Sequence, residues 1–381
     1  MDFSLSKEQI LFQKSIIDFA RKELNDNLIE NDEKGSFSLK NWKKCAGMDI
    51  LSIQCPVKYG GCKEDFLTTV LGIEALSYAC KDSGLVHAIA TQLCCIILLS
   101  LFGNETQKEK HLPNLSKGEK IAAQAITEPE AGSDVLSMQT AAVISGEYYK
   151  INGSKTFISN GPLADVIILF AITNPNRRQL GGVSSFIIQK DQKGLRKGEP
   201  LDKMGLRTMH NGELFFDDCL VSHDDILGKE GQGMAIFGDV IEFERTILAA
   251  AHLGTMQRIL EMCIQYGKSR RQFGQPIEKF QSISNKISDM KVNLELGKMM
   301  LYKMAWMKDQ GRRATLETSI GKLFISESLK KACLEAIQIH GGYGYMKEYE
   351  VERELRDGIA STIYSGTSEL QRNIISSMAG V

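Results

Sequence analysis

The apolar periodicity of this 381-residue chain changes character twice, and that limits the folds open to it. Over residues 1–120 apolar side chains recur at helical spacing. Ser6 and Gln9 stand at capping-box separation, and Ile10, Leu11, Ile16, Ile17 and Phe19 follow at helical intervals. Residues 67–79 and 86–101 are rich in Ala, Leu and Ile without strand punctuation, the pattern of helices buried on several sides. From residue 121 to about 230 the texture is that of strands. Asn152-Gly153 between residues 148–151 and 155–158 predicts a hairpin, and residues 166–172, 183–188 and 214–216 are further strands. Helical texture returns after Gly231-Gln232-Gly233 and persists, with long helices predicted over 281–310 and 320–339. The reading is a mostly α chain with a β middle domain, divided at 1–120, 121–230 and 231–381.

Charge and cysteine usage narrow the function. Forty-six Lys plus Arg against 47 Asp plus Glu leave a net charge of −1, which argues against a nucleic-acid binder. Nine scattered cysteines without a C-x2-C pair read as reduced thiols of a cytoplasmic protein. The start Met1-Asp2-Phe3-Ser4-Leu5 carries no targeting signature, and the longest apolar run, residues 93–102, is about half a membrane span. The expectation is a protein that engages neither membrane nor nucleic acid. No strand–G-x-G-x-x-G–helix unit, P-loop or G-x-S-x-G elbow is present. His87, His111, His210, His223, His252 and His340 are isolated, so no metal is expected and each is read as a satisfied structural histidine.

One carboxylate stands out. Residues 238–256 are apolar around most of the helical circumference yet contain Glu242, Glu244 and Arg245. A helical side chain meets those three and four positions away. For Glu242 that includes Arg245, so an ion pair accounts for both. For Glu244 the neighbours are Val240, Ile241, Ile247 and Leu248, all aliphatic. Such a carboxylate either finds a tertiary partner or has its pKa raised by desolvation, as a general base working near neutrality requires. The helix alone leaves both open. Two polar turns also stand out. The turn at 127–134 gathers small residues and backbone N–H groups; the stretch at 364–372 opens a helix with Ser368 and Gln371 at capping-box spacing.

Five strings then combine: T-E-P-E-A-G-S-D at 127–134, K-T-F-I-S-N-G at 155–161, S-R-R-Q-F-G at 269–274, Q-I-H-G-G-Y-G at 338–344 and Y-S-G-T at 364–367. In this order and spacing the chain resembles the flavin-dependent acyl-CoA dehydrogenases over essentially its full length. The resemblance implies an α-helical domain, a β-barrel-like domain and a C-terminal four-helix bundle, assembled as a homotetramer with FAD at the subunit interface. By matching position, Ile126, Thr127, Gly132, Ser133, Phe157 and Ser159 would line the flavin of one subunit. Arg270, Gln272, Phe273, Gln338, Gly341 and Gly342 would reach the FAD of a partner, and Thr367 its phosphate or ribityl region. Gln124 stands where many relatives carry an aromatic residue.

Many family members place the catalytic base directly after the signature tyrosine, where this chain has Ser365. A sub-branch carries it on the buried helix instead, and the matching position is Glu244. The implied reaction is α,β-dehydrogenation of an acyl thioester. Glu244 is the α-proton base, the Ser365 backbone N–H polarises the carbonyl, and Glu242 and Arg245 match positions near the pantetheine arm. Loss of the Ser365 side chain is expected to have only a modest effect. In overall look the chain is similar to prolyl-carrier-protein oxidases and dehydrogenases of natural-product pathways. That implies a prolyl thioester on an acyl carrier protein, with oxygen or an electron-transfer flavoprotein as electron acceptor. The alternative is a branched- or short-chain acyl-CoA dehydrogenase. A flavin monooxygenase and a non-catalytic flavoprotein are the remaining readings.

Overall fold

The computed structural model describes residues 4–177 and 181–381; the opening Met1-Asp2-Phe3 of the targeting reading lies outside them. Six helices come first: α1 (Lys7–Glu23), α2 (Leu28–Lys34), α3 (Leu39–Gly47), α4 (Phe66–Ala79), α5 (Ser83–Phe102) and α6 (Glu105–Ser116). The capping box forms, with Ser6 accepting from the Gln9 N–H and Gln9 returning a bond to the Ser6 N–H. Helix α5 is twice as long as the uninterrupted apolar run, because Thr91 and Gln92 punctuate that run without breaking the helix. By length and composition it could cross a membrane, but 78% of its most apolar window is buried within the fold. It is a core helix.

The middle region is an eight-stranded sheet: β1 (Ala122–Ala125), β2 (Ala141–Ser145), β3 (Tyr148–Ser159), β4 (Val166–Ile172), β5 (Val183–Gln189), β6 (Leu195–Lys197), β7 (Asn211–Ser222) and β8 (Ile226–Leu227). The order is β6-β7-β3-β2-β4-β5-β8, with β1 parallel to β4. All seven residues of β4 are buried. Val166, Ile168, Phe170 and Ile172 enter one apolar cluster, while Ile167, Leu169 and Ala171 enter another. A strand covered on both faces reads as one continuous apolar run.

The hairpin predicted at Asn152-Gly153 does not form. Strand β3 continues through it, and the chain reverses earlier, around Gly146, where Ser145 pairs with Tyr148. The long strand β7 offers β3 an unbroken partner, so Asn152-Gly153 becomes an irregularity in the ladder. There the Asn152 side chain accepts from the Asp218 N–H at 2.8 Å and donates to the Asp218 carboxylate at 3.0 Å.

The last third holds α7 (Gly233–Ser269), a small hairpin β9 (Arg271–Gln272) and β10 (Gln275–Pro276), then α8 (Gln281–Asp309), α9 (Thr315–His340), α10 (Val351–Ile359) and α11 (Ser368–Ala379). Helices α7, α8 and α9 pack mutually, and α10 and α11 both pack on α9. This helical region shares one core with the first: Ile73 and Leu76 of α4, Ile89 and Leu93 of α5, and Leu253, Leu294 and Ile325 belong to a single buried cluster. Gly254 lets α4 and α7 touch, since a Cβ there would lie 2.3 Å from the Glu74 carbonyl oxygen. The buried Arg258–Glu354 pair, at 2.9 Å, ties α7 to α10. The architecture therefore sets Glu244 on the first half of α7, under the segment that leads into α11.

Candidate active site

Glu244 keeps part of its side chain open, although Val240 and Ile247 beside it are fully buried. Desolvation raises its pKa above the ordinary carboxylate value, opposed by a hydrogen bond from Ser365 and by the charge of Arg245. The Ser365 hydroxyl donates to Glu244 Oε1. That contact gives the Ser365 side chain a partner 121 residues away, which the sequence motif does not announce. Ser365 adopts φ +53°, a left-handed conformation uncommon for a residue with a Cβ.

The segment carrying Ser365 is held on both sides. Before it, the Tyr364 hydroxyl lies 2.8 Å from His87 Nε2 and 2.6 Å from His252 Nε2. His87 Nδ1 sits 2.8 Å from the Ser83 carbonyl, which can only accept, so the proton is on Nδ1. Nε2 of the neutral ring then accepts from the tyrosine, and His252 Nε2–H donates to the tyrosine oxygen. Burial pushes the His87 pKa down to about 4 and that of His252 well below its usual value, which keeps both rings neutral. After it, the Ser365 carbonyl accepts from Arg245 Nε and Gln371 Nε2, each at 3.2 Å. Among the described residues the Ser365 N–H has no protein acceptor. Thr367 caps α11 by accepting from the Leu370 N–H, one position earlier than predicted, while Ser368 bonds Glu327 and Gln371 turns back to the Ser365–Gly366 carbonyls.

Two sequence-based expectations are corrected here. Glu242 and Arg245 do not pair. Helices α8 and α9 bring Lys308 Nζ (2.7 Å), the Ala314 N–H (3.1 Å) and the Thr315 hydroxyl (2.6 Å) to the Glu242 carboxylate. Burial would raise the Glu242 pKa, but these donors outweigh it and hold it low. At 1% exposure and with both oxygens occupied, Glu242 is not available to a substrate arm. Arg245 is drawn instead to Ser365 and to the Ser319 hydroxyl at 3.2 Å. The histidines are not all isolated and satisfied: His87 and His252 share Tyr364, and both ring nitrogens of buried His111 lack a partner among the described residues.

The first two family-like strings meet in the β region. The Thr156 N–H donates to the Thr127 carbonyl at 2.9 Å. Lys155, with no solvent exposure, donates to the Ile126 carbonyl at 2.9 Å and to Glu128 Oε1 at 2.7 Å. Glu128 also accepts from the Gln139 and Thr140 N–H groups at 2.5 and 3.0 Å. Sequence reading passed over this pair, though alternation from Tyr149 and Ile151 already points Lys155 inward, where a lysine requires a carboxylate. Phe157 follows with φ +58° and an exposed ring, at a register shift between β3 and β7. Asn211 Nδ2 donates to the Phe157 carbonyl and the Ser159 hydroxyl at 3.2 and 3.1 Å. Ser133 is exposed, and Gly132 has open space where a Cβ would stand.

The remaining expected cofactor residues lie elsewhere. Arg270, Gln272, Phe273, Gly341 and Gly342 border a cavity of about 610 Å³ between the β9–β10 hairpin and the turn after α9. The Arg270 guanidinium lies 5.4 Å from the centre of the Tyr343 ring, and Phe273 is 93% exposed. Gln338 does not border this cavity; it is exposed one turn back on α9. Neither Phe157, Ser159, Glu244 nor Ser365 lines it.

Comparison with known proteins places this geometry in a family. Models described as the acyl-CoA dehydrogenase N-terminal, middle and C-terminal domains match residues 6–119, 123–219 and 231–379. A solved structure described as the prolyl acyl carrier protein oxidase AnaB superposes with a TM-score of 0.97 at 45% identity, covering 99% of this chain and all of that one. A structure described as PigA with FAD and proline gives 0.97 at 39% identity, over 100% of this chain and 99% of the other. A probable acyl-CoA dehydrogenase, YngJ of Bacillus subtilis (strain 168), is 39% identical over 98% of each chain.

Proposed function

This chain belongs to the acyl-CoA dehydrogenase family, and we propose that it catalyses FAD-dependent α,β-dehydrogenation of an acyl thioester, the substrate being a prolyl group on the phosphopantetheine arm of a carrier protein. The observation that carries the chemistry is a desolvated carboxylate, Glu244, beside a backbone N–H, that of Ser365, which has no acceptor among the described residues. Glu244 takes the α-proton, for which its raised pKa suits it. The Ser365 N–H donates to the thioester carbonyl as negative charge develops there, and its clamped peptide makes that donor preorganised. Bound FAD supplies the acceptor for the β-hydride.

The residues present fit that cofactor. Gln124 Oε1 is a buried acceptor without a partner among the described residues, the Phe157 and Phe273 rings are exposed, and open space adjoins Gly132, Gly341 and Gly342. Ile126, Thr127, Gly132, Ser133, Phe157 and Ser159 would hold it from one subunit. Arg270, Gln272, Phe273, Gly341 and Gly342 would hold it from another, with Gln338 and Thr367 at the edges. Division of these groups between two places on one chain supports FAD at a subunit interface, and the family resemblance supports a homotetramer. Nine free cysteines, eight of them buried, suit a cytoplasmic setting.

The likeness to the AnaB and PigA structures supports the prolyl thioester, and the likeness to YngJ supports an acyl-CoA. Prolyl-loaded carrier protein, prolyl-CoA, isovaleryl-CoA and butyryl-CoA, offered to the FAD-loaded enzyme under mass detection, separate the two. Loss of two hydrogens from the prolyl carrier protein is expected; oxidation of the acyl-CoAs alone would reverse the substrate assignment. Glu244→Gln should retain FAD and the fold while losing turnover by at least about a hundredfold. A flavin monooxygenase on this scaffold would survive that substitution, and a non-catalytic flavoprotein would oxidise none of the substrates. Oxygen uptake with and without an electron-transfer flavoprotein identifies the final acceptor.

A further inference from the structure

Position 365 has a second part to play. Resting on the assignment of Glu244 as base, we propose that the Ser365 hydroxyl is its positioning group, gripping Oε1 so that Oε2 alone is aimed at the substrate α-proton. Among the described residues that hydroxyl is the sole hydrogen-bond partner of the Glu244 side chain, and Oε2 has none. A glutamate has three side-chain torsions, and one bond to a fixed donor removes most of that freedom. The donor is fixed because its own residue is immobilised. The Ser365 carbonyl is held by Arg245 and Gln371, the preceding Tyr364 by two histidines, and the following Gly366 carbonyl by Gln371 at 2.9 Å.

The same serine thus serves both reacting ends of a thioester. Its N–H faces the developing oxyanion, and its side chain orients the group that removes the proton. Left-handed backbone at Ser365 lets one residue present both donors, and the surrounding clamps maintain a conformation that is unfavourable for a residue with a Cβ.

The hydroxyl also tunes ionisation. An O–H donor to a carboxylate favours the charged form, so its removal lets desolvation carry the Glu244 pKa higher. Other groups facing Glu244 are Arg245 on its own helix, Cys94 and Cys95 on α5, and Tyr364 on the adjoining segment. Burial raises the Cys94, Cys95 and Tyr364 pKa values far above neutrality, and Arg245 stays charged, so none of them titrates in the working range. Lys322 on α9 lies further out, beside Arg245, and burial lowers its pKa to about 8.

The test is the pH profile of kcat/KM for thioester oxidation by FAD-loaded parent, Ser365→Ala and Ser365→Cys. In the alanine variant the acid limb should move upward by about one pH unit, cutting kcat/KM roughly tenfold on the acid side. Much of that loss should return at high pH, and the weakly donating thiol should fall between. An acid limb unmoved in both variants would overturn the proposal, whatever the size of the loss, because a merely structural hydroxyl does not move the limb. Should the alanine variant fail to fold, the position of the acid limb in the cysteine variant decides the matter in its place. Failure of the underlying reading is separately visible: Glu244→Gln would then turn over normally.

Discussion

Acidification from pH 7 to pH 5 should weaken the folded protein through His87, and the size of the effect can be worked out. The ring is buried, bonded through Nδ1 to the Ser83 carbonyl and through Nε2 to Tyr364, and burial depresses its pKa from 6.5 to about 4. The unfolded chain therefore takes up a proton near pH 6.5 while the folded chain resists until about pH 4. A depressed histidine pKa thus contributes stability that is complete above pH 6.5 and drains away as pH falls towards 4. With about 1.4 kcal/mol per pH unit, the loss is about 2 kcal/mol by pH 5 and about 3 kcal/mol in all. His87→Gln preserves an acceptor for the Tyr364 hydroxyl but cannot titrate. Urea unfolding of parent and variant at both pH values, followed by fluorescence of the buried Trp42, isolates the histidine because every other titrating group is shared. The parent should lose about 2 kcal/mol more than the variant. A stability gap between the two that is the same at pH 7 and pH 5 would refute the neutral, buried assignment of this ring.

Tyr364→Phe leaves His87 Nε2 and His252 Nε2 without partners in buried surroundings, at about 1–3 kcal/mol each, and should lower both the melting temperature and turnover. An unchanged melting curve would show that the two rings find other partners. Lys155→Met strands the Glu128 carboxylate in the interior and should destabilise the protein by about 3–5 kcal/mol, with weaker FAD binding by titration calorimetry. Pairing it with Glu128→Gln should recover part of that loss; no recovery would mean that the lysine acts through something other than its carboxylate partner.

What could be read from the sequence was whatever repeats locally. The helical patterns over 281–310 and 320–339 emerged as α8 and α9 within a residue or two at most ends, because long periodic runs define themselves. Glu244 was singled out by counting three and four positions along its own helix, and the structure adds only one hydrogen bond to its surroundings. Asn152-Gly153 misled because a turn signal is local and the competing partner, β7, lies some sixty residues later. The Glu242–Arg245 pair failed for the same reason: two other helices deliver better partners to each end. Ser365 meets Glu244 across 121 residues and Tyr364 meets His87 across 277. No periodicity of one chain segment encodes such meetings. They follow only once α5, α7 and the approach to α11 have been packed.

The single interior shared by the first and last helical regions has a consequence for how the molecule is made. Ile73 and Leu76 belong to the same cluster as Leu253 and Leu294, so roughly the first third of the polypeptide leaves the ribosome well before its packing partners have been translated. Strands β1 to β8, synthesised in between, find nearly all their pairings among themselves and can assemble early. Meanwhile the oily helix α5 waits, a ready client for chaperones, until α7 arrives to close over it.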